Sequence, residues 1–139
     1  MTLLIDFPYL QTFVSALLAF GLGLVWYHPK MMGTTWLAAR GKTNETTKRF
    51  PPMTAVISFL LWLIGASFYS FLLSIMDIST VNAMLSLSCL LWVAFAMPPI
   101  VMGSLYTGYP FQAAAIDSAY QLGGYYIFAL THLAMAYII

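Results

Sequence analysis

The sequence predicts an all-α, polytopic integral membrane protein: one domain over residues 1–139 with four transmembrane helices in a bundle. Three observations carry this reading. Hydrophobic residues make up 62% and charged residues only 6% of the 139 positions, against roughly a quarter charged in an ordinary soluble domain. Polar residues come in clumps between long apolar runs rather than at every second or third position, so a water-facing surface cannot be laid out. The runs also lack the alternating polarity that a membrane barrel requires, which makes the spans helices.

Spans are placed at about 9–27, 53–76, 80–102 and 111–139, each near the roughly 20 residues that cross a hydrocarbon layer. The opening "MTLLIDFPYL" carries Asp6 where a signal peptide would carry basic residues, so the first apolar run is read as a retained helix. All five basic residues, Lys30, Arg40, Lys42, Lys48 and Arg49, fall in the connection 28–52. Short loops rich in Lys and Arg stay on the cytoplasmic side. With that loop inside, both termini face outward (N-out, C-out), "MDISTV" turns outside and "GSLYTGYP" returns inside. The expected location is the inner (plasma) membrane of the cell, crossed several times.

The first span ends in "WYHPKMMGTTW", after nineteen uncharged residues. Trp26 and Trp36 are membrane-interface anchors, since amphipathic rings favour the headgroup level. Pro29 ends the helix and Lys30 snorkels toward phosphates. "TTWLAARGK" reads as a short interfacial helix capped by Thr34 or Thr35 and closed by Gly41. His28 is the residue that anchoring does not require.

Ser15, Ala19 and Gly23 in the first span, and Ala66, Ser70 and Ser74 in the second, form small-residue stripes that suit close helix packing. In the third span Pro98 and Pro99 remove two amide donors, so the helix is expected to end or kink just before them. Cys89, the sole cysteine, lies mid-run and reads as a buried, inert thiol.

The fourth span holds the chemistry. At 100° per residue, Asp117, Tyr120, Gln121, Gly124, Tyr125, Thr131 and His132 fall within an arc of about 140°, while Tyr126, Leu130 and Leu133 lie opposite. A carboxylate in a span normally faces a bundle interior or a wet cavity and is a functional hypothesis by default. Asp117 sits roughly 6–9 Å inside the cytoplasmic end, which also suits a plain counter-ion. His132, about 22 Å further along, cannot share an ion with it and reads as a satisfied residue near the outer interface.

No phosphate-cradling glycine loop, CxxC, HExxH or GxSxG occurs. No catalytic residue, metal site or cofactor is therefore assigned, and enzymatic activity is not expected. The basic loop points to an anionic lipid surface, and no nucleic-acid partner is expected.

The chain resembles a known family. "GLGLVWYHPKMMGTTW" is similar to the signature of the small bacterial membrane proteins of the DUF1761 family, in which Gly, Trp-Tyr, Pro, Gly and a later Trp recur at this spacing. "AAIDSAYQLGG" is similar to that family's second marked segment, an Asp followed three residues on by an aromatic. The resemblance covers nearly the whole chain and implies a four-helix integral membrane protein of unassigned biochemical role. His28 and Gln121 depart from the family's usual pattern, so a function common to the family need not rest on either side chain.

Two functions are carried forward. In one, a homo-oligomer of bundles provides a binding or permeation site for an ion or small molecule. Asp117 stands at its cytoplasmic mouth, within a polar cluster of Asp117, Tyr120, Gln121, Tyr27, His28 and Lys30. In the other, the protein is a non-catalytic accessory subunit docked on a larger membrane complex.

Overall fold

Every regular element of the computed structural model, which describes residues 2–41 and 51–138, is helical. A short α1 (Thr2–Ile5), absent from the sequence reading, precedes α2 (Tyr9–Trp26); then come α3 (Gly33–Ala39), α4 (Pro52–Ile75), α5 (Val81–Leu91), a π-helical turn (Trp92–Ala96), α6 (Met97–Thr107) and α7 (Phe111–Ile138). Lys42, Lys48, Arg49 and most of the basic connection lie outside the described residues.

Three helices are long and apolar enough to cross a membrane: α2, α4 and the continuous 81–107 helix. At 28 residues α7 has the length and carries Asp117 as its single charge, but it is not among the three. Its polar content explains this, and the fold places that content inside. α7 packs against α2, α3, α5 and α6, and buries Ala113, Ala114, Ile116, Ser118, Gly124, Phe128, Ala129, Thr131 and His132.

α2 and α7 run antiparallel in close contact. On α2 the buried side chains are Thr12, Ser15, Ala16 and Ala19, small enough to let the two backbones approach. On α4, Ala66 and Ser70 are fully buried while Ser74 is exposed, so the second small-residue stripe is a seam over only part of its length. Between α4 and α7 lies a layer of rings. Trp62 meets Tyr120 edge-on at 5.2 Å and Phe128 at 5.6 Å, and Tyr69 meets Phe128 at 5.4 Å.

The 81–107 helix does not stop at Pro98. The amide of Met97 bonds back five residues to the carbonyl of Trp92, and this wider turn places Pro98 and Pro99 in the first turn of α6, where the missing donors are not needed. The same turn aims the Trp92 indole at α7, where it donates to the Ser118 carbonyl at 2.8 Å. α6 continues to Thr107 and ends at Gly108, whose φ of 73° is open to glycine at no cost.

Other local expectations are corrected. α3 has Met32 at its N-cap position with no side-chain cap, because the Thr34 hydroxyl donates instead to the Pro29 carbonyl; Gly41, with φ 71°, closes the helix. Cys89 is exposed, not buried, since its face of α5 points away from the core and its thiol meets the Tyr126 hydroxyl at 3.0 Å. His132 is buried, not interfacial, because its side of α7 faces α4. Its Nδ1 lies 2.9 Å from the Phe128 carbonyl, which only accepts, so Nδ1 carries the proton. In the neutral ring Nε2 then accepts from the Ser70 hydroxyl at 2.9 Å, and Ser70 accepts from Thr12 at 2.7 Å. Three helices are thereby joined by one directed hydrogen-bond chain. Among the described residues, every buried side-chain nitrogen and oxygen has a partner.

The close approach of α7 to Trp62 is directly testable. A Cβ at Gly124 would overlap the Trp62 ring, and one at Gly23 would fall 2.5 Å from the Tyr120 hydroxyl. Gly124→Ala is expected to destabilise the fold by about 1–3 kcal/mol, as overpacking does, and Gly23→Ala in the same direction. Gly21, where a Cβ would meet nothing within 4 Å, is the control: thermal unfolding in detergent should leave Gly21→Ala unchanged.

Candidate functional site

At one end of the bundle, the C-terminal end of α2, α3, the turn before α7 and the first turns of α7 converge on Asp117. The carboxylate is half-buried. Tyr27, one residue past α2, donates to its Oδ1 at 2.5 Å, and Tyr109, in the Gly108–Pro110 turn, donates to its Oδ2 at 2.8 Å. Two hydroxyl donors, one per oxygen, suit an ionised carboxylate, which can only accept; each such bond is worth about 1.5–3 kcal/mol.

Local sequence holds each donor in place. Gly108 in the left-handed region and Pro110 at the start of α7 fix the turn that presents Tyr109. Its carbonyl accepts from Ser104 at 2.6 Å, and its hydroxyl accepts from the Trp36 indole at 3.1 Å. Burial, followed by the bond to Asp117, pushes the Tyr109 hydroxyl above the ordinary tyrosine range, so it remains a proton donor at neutral pH. Tyr27 is held by the fold of the chain behind it. The amides of Met31 and Gly33 both bond to the His28 carbonyl, and a Cβ at Gly33 would strike the backbone of Tyr27. Only glycine lets α3 start there.

A second shared contact lies one turn deeper. The Tyr120 hydroxyl donates to the Ala19 carbonyl at 3.1 Å and accepts from the Trp62 indole at 2.8 Å, while its ring meets Tyr27 at 5.4 Å. The rings of Trp36, Tyr27, Tyr120, Trp62, Phe128 and Tyr69 thus form a continuous series from Asp117 toward His132, edge-to-face except for the tilted last pair, with adjacent centroids 5.1–5.6 Å apart.

Of the residues singled out from sequence, the structure brings Asp117, Tyr27 and Tyr120 together. Trp26 and Trp36 join them: the Trp26 indole donates to the Ile116 carbonyl at 3.2 Å. His28 and Lys30 stand apart, both exposed, and the His28 Nδ1 accepts from the Lys30 amide at 3.2 Å. Gln121 is half-buried on α7 and supplies neither hydrogen bond to Asp117. Tyr109, Trp62 and Arg40 were not picked out as site residues. Tyr109 was findable, because helix alternation puts its turn at the same end as Asp117. Trp62 sits in an unbroken apolar run, and only the need of its indole for an acceptor marked it.

Tyr27→Phe and Tyr109→Phe each remove one donor from Asp117. Each is expected to cost about 1–3 kcal/mol in unfolding measurements. In the background of Asp117→Asn the same changes should cost measurably less, since the ionised acceptor is gone.

Residues 10–133 match the family described as "Protein of unknown function (DUF1761)". No curated protein and no solved structure matches the chain. The match takes in both segments that meet at Asp117, the end of α2 and the start of α7, and the chain belongs to the DUF1761 family.

Proposed function

We propose that the protein crosses the inner (plasma) membrane four times, N-out and C-out, as a non-enzymatic helix bundle, and binds a cation or proton at Asp117 on the cytoplasmic side. The observation that carries this is the setting of Asp117: a half-buried carboxylate at the bundle end shared with the basic connection, held among the described residues by two phenols. A carboxylate kept in such a place is costly in a bilayer, and its usual use is an ion or proton pathway.

α7 serves as the fourth crossing in this reading. It lacks the apolarity of the other three because α2, α4 and the 81–107 helix cover its polar side, and its own exposed residues, such as Leu130 and Ile138, suit lipid. The inward polar groups of α7 are already paired with α2 and α4, so a permeation path forms between copies in a homo-oligomer. The alternative, an accessory subunit of a larger membrane complex, would dock through apolar faces such as Leu90, Phe95 and Leu105, because the polar face of α7 is turned inward.

Two measurements test the proposal. In a Cys89→Ser background, Asn44→Cys should resist impermeant thiol reagents added to intact cells while Thr2→Cys reacts; labelling at position 44 from outside would invert the topology. In reconstituted vesicles, Asp117→Asn should abolish cation or proton flux while the oligomer survives. Unchanged flux with a modest loss of stability would make Asp117 a structural clasp and overturn the transport reading.

A further inference from the structure

Among the described residues, the cation placed at the site is a side chain of the protein itself. Arg40, half-buried at the C-terminal end of α3, holds its guanidinium carbon 4.5 Å from the centre of the Trp36 ring and 5.8 Å from that of Tyr109. The polar atoms of both rings lead to Asp117: the Trp36 indole donates to the Tyr109 hydroxyl, which donates to the carboxylate. A phenol that donates to an anion gains electron density on its ring, and a richer ring face attracts cations more strongly. The charge of Asp117 therefore reaches the cation through Tyr109. Tyr27, edge-on to Trp36 at 5.1 Å, steadies the other side.

We propose that Trp36 and Tyr109, backed by Asp117, form a binding site for weakly hydrated organic cations of the guanidinium or quaternary ammonium class, and that Arg40 occupies it as a tethered ligand. The proposal rests on the reading of Asp117 as a cation site and names the chemistry of what binds there. Aromatic faces discriminate by hydration. They do not replace the tightly held water of sodium, whereas a guanidinium or tetraalkylammonium ion gives up little by leaving solvent. Displacing Arg40 requires rotation of one side chain only. Its amide already bonds to the Trp36 and Leu37 carbonyls as the helix closes, and Gly41 turns the chain away immediately after.

The test follows the indole N–H resonance of Trp36, identified by its loss in Trp36→Phe, in the full chain in detergent. Tetramethylammonium chloride should shift that resonance saturably. Its affinity for Arg40→Gln should exceed that for the wild type by about two- to fivefold, the scale of one cation–π contact, and Asp117→Asn in the same background should reverse the gain. Sodium chloride at equal ionic strength should leave the resonance in place. A folded Arg40→Gln, recognised by an unchanged Trp62 indole signal, that ignores tetramethylammonium or responds equally to sodium overturns the proposal. If Arg40→Gln does not fold, the wild type decides: a weak saturable shift supports the site and none overturns it. Absent binding beside flux that still depends on Asp117 removes this ligand class and leaves the proposed function. Binding beside flux indifferent to Asp117 does the reverse.

Discussion

Two tyrosine hydroxyls reaching Asp117 from outside its own helix set the terms for the rest of the structure. α7 supplies neither of them: one comes from the end of α2 and the other from the turn that precedes α7. Satisfying the carboxylate therefore fixes the relative height of α2 and α7. Once Tyr27 stands beside Asp117, the antiparallel pairing brings Gly23 and Ala19 to Tyr120, and Thr12 to the level of His132. A shift of one helical turn, about 5.4 Å, would break these contacts together. Buried polar networks that are fully paired select one packing in this way, because each alternative leaves donors or acceptors unmet.

The placement of α4 follows from the same helix by different means. It stands off α7 by the width of its aromatic layer, and its specificity comes from two polar threads within that layer, Trp62 to Tyr120 and Ser70 to His132. The rings supply contact area and the threads supply position. α5 and α6 are tied on the remaining side by Ser88, whose hydroxyl donates to the Tyr125 carbonyl at 3.2 Å, and by Trp92 on Ser118. The π-helical turn belongs to this last contact, since it both absorbs the two prolines and points the indole inward.

Much of this was legible in the sequence where a residue's cost was local. The run lengths located the long helices to within a few residues, and the 100° repeat put Asp117, Tyr120, Gly124 and His132 on one face of α7. What was not legible depended on partners far away in sequence. Nothing near Cys89 told which side of α5 would face the core, and nothing near His132 told that Ser70 and Thr12 would meet it. Pro98 and Pro99 do interrupt the regular helix just before them, but as a wide turn that moves them to positions where their missing amides do no harm and not as an end. Tyr109 shows the same limit from another side, for its role arises only once the turn that carries it lies against α3.

The central position of α7 bears on how such a chain is made. It is the least apolar of the four long helices and leaves the ribosome after the other three, so under the proposed membrane reading it is the one least able to partition into lipid unaided. Its polar groups find their donors and acceptors on α2, α4 and α5, all of which are synthesised earlier. Under that reading, insertion of α7 is coupled to assembly: α2, α4 and α5 act as the template on which α7 becomes compatible with a bilayer. A chain whose earlier helices are misplaced would then lose not one span alone but also the acceptability of α7.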